Sequence, residues 1–276
     1  MMTRSSGRAL KAALLAATVV AAVPVAAHAH RAWMLPSATV LSGEDAWLTV
    51  DAAIANTLFY FDHNPMPLTN LSVYAPDGSK LEPQNVSQGQ YRSTFDVELV
   101  QNGTYNVEVF NNTVSAVYSD ENGAEQRFRG TPAEWEASEL SQRDDLQPTF
   151  NATRTEFFVT VGAPTEMTVQ PSGEGLELVP LVHPNDLYSG EAAQFRVLLN
   201  GEPVADQAVE IIAGGVRYRD AEDPIQVTTD ANGEFEVTWP EPGMYWVNAE
   251  YGQTGRGAPA GARGAAYNGT FEVLPQ

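Results

Sequence analysis

Histidine is the scarce chemical residue of this chain: four in 276 positions, at His28, His30, His63 and His183. A neutral imidazole is a favoured ligand for Cu, Ni and Zn, so the placement of these residues decides what metal chemistry is open. His30 stands in AAHAHRAWMLP. If the chain is cut after Ala29, His30 becomes the first residue, and its free α-amine and ring Nδ1 can close a chelate on one ion. An α-amine has an unperturbed pKa of about 7.7–8.0, so a metal readily displaces its proton at neutral pH. One further imidazole would complete a T of three nitrogens, a tetragonal set suited to Cu(II) or Ni(II). His63, in FYFDHNPMPL, and His183, in LVPLVHPNDLYSGE, are the imidazoles on offer. Each ends an apolar run just before a proline turn, with Asp62 or Asp186 close enough to orient its ring. Met34 and Met66 are soft donors nearby in sequence. The plain alternative is that all three histidines are ordinary turn residues, His183 hydrogen-bonded to Asp186.

The chelate needs a processed N-terminus, and residues 1–29 read as an export signal. Arg4, Arg8 and Lys11 precede the apolar run LLAATVVAAVPVAA, and Ala27-His28-Ala29 has the small-x-small form of a cleavage site. A competing cut after Ala27 would leave His28-Ala29 in front of His30. The apolar run is too short and Ala-rich for a membrane anchor, so the mature chain is expected to be periplasmic or secreted and not membrane-spanning.

Composition removes several function classes. The chain holds no cysteine, which excludes disulfides, iron–sulfur clusters, thiolate zinc sites and covalent haem. Without the first 29 residues, twelve basic residues face thirty-five acidic ones, a formal charge of −23 before histidines. Such a surface repels phosphate backbones, so no nucleic-acid partner is expected. The sequence carries no GxSxG, HExxH, phosphate-loop or dinucleotide fingerprint, and no catalytic residue is assigned.

The elements that would position the histidines are strands. Short alternating runs broken by PDGS, QNG, NGEP and DANG indicate a mostly β protein. They include AWLTVDAAI (46–54), NLSVYAP (70–76), YRSTFDVELV (91–100), TYNVEVFN (104–111) and TRTEFFVTVG (153–162). LELVPLV (176–182), AQFRVLL (193–199), QAVEIIA (207–213), EFEVTW (234–239) and MYWVNAEY (244–251) continue the pattern. Thr131-Pro132-Ala133-Glu134 is the one helix start, an N-cap followed by proline at the first helical position, with AEWEASELSQ running on. GQTGRGAPAGARGAA (252–266) is poor in bulky residues and reads as a long mobile loop.

A repeat sets the fold class. Phe95-x-Val97 before Gly103-x-Tyr105-x-Val107 recurs as Phe235-x-Val237 before Gly243-x-Tyr245-x-Val247. The pattern reads as a repeated hairpin, and its tyrosines can tie a loop by their hydroxyls as a tyrosine corner does. The expected architecture is therefore two immunoglobulin-like β-sandwich domains in tandem, at residues 30–118 and 163–276. A helical excursion and return strand, 119–162, falls between them. A site built from His30, His63 and His183 would lie between the domains.

HRAWMLPS, LFYFDHNPM, and the run from LELVPLVHPNDLYSGE through TTDANGEFEVTWPEPGMYWVNAEY together resemble the NikM-like family of exported bacterial proteins. That family is associated with nickel and cobalt uptake, and the resemblance covers nearly all the chain after residue 29. It implies a periplasmic, β-rich protein that handles a transition metal. The leading expectation is an accessory protein that captures or delivers Cu or Ni and meets a membrane transporter or reductase component. A metal-free structural or adhesion module is the alternative. A copper redox enzyme with the same histidine chelate ranks behind both, since it would want exposed aromatics near His30.

Overall fold

The structure is a computed structural model and describes residues 30–165, 170–254 and 258–276. The export signal expected at 1–29 lies outside the described residues. The first half of the chain runs through β1 (Arg31–Pro36), β2 (Val40–Leu41), β3 (Ala46–Ala55), β4 (Asn64–Pro65), β5 (Leu71–Tyr74) and β6 (Lys80–Leu81). β7 (Gln84–Gln88), β8 (Ser93–Leu99) and the long β9 (Gly103–Ser119) follow. Then come β10 (Glu125–Gly130), helix α1 (Pro132–Ala137) and β11 (Thr149–Val161). The second half supplies β12 (Leu176–Pro180), β13 (Ala192–Leu199), β14 (Glu202–Pro203), β15 (Ala208–Ala213), β16 (Ile225–Thr228), β17 (Glu234–Thr238), β18 (Gly243–Gly252) and β19 (Arg263–Val273).

The protein is mostly β, and the strands among the described residues form three sheets. One is ordered β1-β3-β8-β7, with β4 paired to the end of β3. Another is ordered β12-β13-β14, with β17 beside β13. The third and largest joins strands of both halves in the order β16-β15-β18-β19-β11-β9-β5-β6. Its centre is β11, antiparallel to β9 along its whole length and parallel to β19 from Phe150 to Phe157.

Alternation along β11 explains how one sheet serves two cores. Successive strand side chains point to opposite faces. Phe157, Val159 and Val161 pack with Leu48, Val50, Phe95 and Tyr105 under the β1-β3-β8-β7 sheet. Phe158 packs with Phe195, Trp239, Tyr245 and Phe271 under the β12-β13-β14 sheet. A further cluster joins Trp33, Ala53, Ala55 and Leu58 of the first half to Ile212 and Trp246 of the second. β11, the return strand of the 119–162 segment, thus contributes side chains to both clusters.

The repeated motif has a different geometry from the hairpin the sequence suggested. β8 and β9 belong to different sheets, and so do β17 and β18. In both copies the chain arches from a small sheet into the large one. Glycine carries the turn, Gly103 at φ 129° and Gly243 at φ 145°, values that side chains with a Cβ rarely adopt. The tyrosines then behave alike. Tyr105 donates its hydroxyl to the Gln101 carbonyl at 2.8 Å and accepts from the Gln101 N–H at 2.7 Å. Tyr245 donates to the Glu241 carbonyl at 2.7 Å and accepts from the Glu241 N–H at 3.3 Å.

Two other expectations are adjusted. α1 begins as read, with a capping box between Thr131 and Glu134, but stops at Ala137, and a 3-10 turn takes over at Glu139–Gln142. Its Trp135 packs against Phe128, Val114 and Ala116 on the far end of the β9-β10 ribbon. The stretch 252–266 is not loop throughout, because β18 and β19 pair from Gly243↔Val273 to Gly252↔Gly264. Low side-chain bulk at Gly264 is what permits that pairing: a Cβ there would meet the Gln253 carbonyl oxygen at 2.2 Å.

Candidate functional site

β3 is flanked at its end by β1 on one side and β4 on the other, with Arg31 opposite Ala55 and Asn64 opposite Ile54. The residues just outside these strands are His30 and His63. Their rings meet as a stacked pair, centroids 3.8 Å apart and planes inclined by 15°. His30 is exposed and His63 half-buried.

Both histidines are mounted on anchored backbone. Arg31 is buried and makes two bonds to the Glu222 carboxylate, at 2.7 and 2.8 Å, with its guanidinium 5.6 Å over the Trp246 ring. Trp246 Nε1 donates to the Ala32 carbonyl at 3.0 Å. The second half thus holds the strand that follows His30. The 56–63 loop carrying His63 is closed by Asp62, whose carboxylate accepts the N–H groups of Asn56 and Thr57 at 2.8 and 3.0 Å. Burial pushes the Asp62 carboxyl up, but hydrogen bonds from Thr57 and Asn56 outweigh it and hold the group below its ordinary value. Phe59 sits at φ 55°, a strained conformation for an aromatic residue. Its ring lies edge-on to Trp33 and against Gly214, where an added Cβ would stand 3.3 Å from it. Arg217 lies 3.9 Å over Tyr60 and Arg92 4.7 Å over Phe61.

The donor set is small. Met34 and Met66 are buried in the first core. Among the described residues no group of three or more His, Cys, Asp and Glu side chains is placed to hold a metal ion. Ring nitrogens donate in the plane of the imidazole, so near-parallel rings must turn before both can reach one ion at about 2.0–2.1 Å. His30, being exposed, has room to turn. A third nitrogen next to the pair can come from the α-amine of His30, once nothing precedes it.

His183 is held elsewhere. Its Nδ1 accepts the Asn185 N–H at 3.2 Å, which leaves the proton on Nε2, 2.8 Å from Thr104 Oγ1. The chain of bonds continues from Thr104 to Thr160 at 3.0 Å and from Thr160 to Asn185 Oδ1 at 2.8 Å. Asn185 in turn donates to the Phe158 carbonyl at 2.9 Å. Burial lowers the pKa of His183, with the Asp186 charge opposing it. Both ring nitrogens are thus occupied in a bolt between the second half and strands β9 and β11. Thr104 and Asn185 orient this ring, in the place expected of Asp186.

Sequence reading missed two polar groups: this threonine–asparagine bolt and a cluster of buried Arg154, Glu156 and Glu177 with the partly buried Glu108. The available signal for the cluster was Arg154-x-Glu156, the two charges at alternate positions of a strand with no other charged residue. Trp33 is fully buried, while Trp47 is partly exposed at 44%.

The model for the family described as Domain of unknown function (DUF4198) matches residues 27–253. The chain belongs to that family. No curated protein matches. Among solved structures, the D0-D1 domain of Intimin matches at 13% identity and a TM-score of 0.21, over 86% of this chain and 96% of that one. The human OSCAR ligand-binding domain matches at 15% identity and a TM-score of 0.22, over 88% and 99%. A DUF3823 family protein from Bacteroides uniformis matches at 13% identity and a TM-score of 0.27, over 89% and 100%. Likenesses this loose carry no argument about what this DUF4198 protein does. The match covers His30, His63 and His183 and ends before β19. No helix among the described residues is long and apolar enough to cross a membrane.

Proposed function

We propose that this chain is an exported metal-binding accessory protein that captures Cu(II) or Ni(II) on His30 and His63 and hands it to a membrane transporter or reductase component. The observation that carries the reading is the contact between the two rings, 3.8 Å apart on backbone anchored from both halves of the molecule. Imidazoles suit these ions, and a free α-amine at His30 would raise the set to three nitrogens. His30 and His63 then serve as the ligands, and His183 serves as a bolt outside the donor set. The resemblance to NikM-like proteins favours the same chemistry, with the metal as cargo.

The test is a titration of Cu(II) and Ni(II) into protein that begins at His30, into a form with one alanine before His30, and into His63→Ala and His183→Ala. Binding is expected in the parent and in His183→Ala, and lost in the other two. Equal binding by the parent and the extended form would overturn the chelate. The metal-free structural module would then be the better reading, with the stack as simple ring packing. Intact mass of the exported protein gives the cleavage site independently.

A further inference from the structure

The Arg154 cluster lies on the face of the shared sheet opposite the first core, under residues 170–175, which lead into β12. A cavity of about 240 Å³ opens among Tyr74, Asn106, Glu108, Arg154, Glu156 and Glu177. Arg154 is 4% exposed. Its Nη1 bonds the Glu108 carboxylate, while Nη2 donates to Ser172 Oγ at 2.9 Å and the Glu174 carbonyl at 3.2 Å. Glu177 lies 3.6 Å from the same guanidinium. It accepts the N–H of Ser172 at 2.6 Å, the N–H of Gly173 at 3.0 Å and the Ser172 hydroxyl at 3.0 Å. Arg154 on β11 thus ties the connector to the shared sheet, and Glu177 ties it to the start of β12 while facing the same guanidinium.

The charges do not balance. Three carboxylates, two of them buried and Glu108 partly so, surround one guanidinium, whose Nε is itself buried without a partner. Glu156 and Glu108 stand directly opposite one another on β11 and β9. Like charges in that position repel. Glu108 has Arg154 and Glu177 has three donors, whereas Glu156 is held by Asn106 Nδ2 at 3.1 Å. From β19, the Tyr267 hydroxyl faces Glu156 as a neutral group, its pKa raised well above the ordinary value by burial and by that carboxylate. Glu156 is therefore the member that keeps a proton. Burial raises its pKa to about 7, with the push of Glu108 and against the pull of Arg154 and the hydrogen bonds of Tyr267 and Asn106.

We propose that the proton on Glu156 latches residues 170–175 onto the shared sheet, and that its loss releases them. Protonated, Glu156 leaves Arg154 to Glu108 and the connector. Ionised, it becomes a third anion competing for the same guanidinium and draws water into the cavity, so the bonds to Ser172 and Glu174 weaken. The device couples the pH of the surroundings to the segment that joins the two sandwiches. It is independent of the histidine pair.

Amide exchange resolved by residue reads the latch, because Ser172 and Gly173 donate to Glu177 and the Glu174 N–H donates to Ser172 Oγ at 3.2 Å. After correction for intrinsic rates, protection at these three amides should fall about tenfold or more from about pH 6 to about pH 8 in the full chain. The Gly162 N–H, bonded to the Leu41 carbonyl at 2.9 Å, is the control and should not change. Glu156→Gln, a neutral mimic of the protonated acid, should keep protection within about twofold over the same range. Carboxyl carbon shifts of the unaltered protein need no variant and should show Glu156 titrating near neutral pH. Flat protection in the parent, an unchanged slope in Glu156→Gln, or a Glu156 carboxyl that titrates in the ordinary glutamate range would each overturn the proposal.

Discussion

Phe157 and Phe158 are neighbours in the chain and lie in different hydrophobic cores, 0% and 3% exposed. A strand with both faces covered has no solvent side, and β11 is buried from Arg154 to Val161. Phe157→Ala and Phe158→Ala should each cost about 3–5 kcal/mol, the range for deleting a buried aromatic ring. Because both cores lean on one strand, either variant should weaken the whole molecule. Urea unfolding followed by tryptophan fluorescence and by far-UV circular dichroism should give coincident single transitions. Separate transitions for the two halves would contradict the shared strand.

The two tyrosine corners make a matched pair of measurements. Tyr105→Phe and Tyr245→Phe each remove one hydroxyl that ties an arch to its own strand, leaving the ring in place. Each should cost about 1–2 kcal/mol in chemical denaturation, and the losses should add, since the corners sit in separate cores with no shared partner.

Much of the fold was legible because strands announce themselves locally. Inward Phe95 and Val97, Phe235 and Val237, and the glycines before each tyrosine are all set by period two and by φ. The sheet that β11 shares between halves was not legible. Its pairing with β19 joins residues more than a hundred positions apart, and nothing in TRTEFFVTV names its partners. The same holds for the site. His30 and His63 were visible as rare residues at strand ends, and their contact follows from β1 and β4 flanking β3. His183 looked equivalent in sequence, with a proline turn and a nearby aspartate. Thr104, from a distant strand, is what engages its ring.

Acid should loosen the His183 bolt. Burial lowers the pKa of His183 from 6.5, so the unfolded chain takes up a proton at a pH where the folded chain does not. Stability is therefore full above about pH 6.5 and falls as pH drops from there through the lower folded value. Glu156 acts in the opposite sense, its folded pKa near 7 standing above an unfolded 4.5. The folded state holds the extra proton, so stability falls as pH rises from 4.5 to 7. Glu156→Gln should stabilise by about 1–3 kcal/mol at pH 8 and by little at pH 4, while His183→Gln should flatten the acid limb. Melting temperatures across this range separate the two groups by sign.

The second half should control the geometry of the histidine pair through Arg31. Its guanidinium meets Glu222 in a two-bond fork while the next residue's carbonyl receives Trp246 Nε1, so the backbone entering β1 is fixed by residues far away in sequence. Glu222 touches neither imidazole in this arrangement, and its loss leaves both donors in place. Glu222→Gln also leaves the buried Arg31 without its counterion, a change expected to cost about 1–3 kcal/mol of stability. Metal affinity tells the two effects apart. If anchoring sets the pair, Cu(II) should bind Glu222→Gln about tenfold more weakly at temperatures where the variant is fully folded, an affinity loss of about 1.4 kcal/mol. Trp246→Phe, which keeps an aromatic side chain but shrinks it and removes the bond to Ala32, should weaken binding in the same direction and by less. Parent-like affinity in both variants would mean that β1 and its pairing with β3 hold His30 unaided.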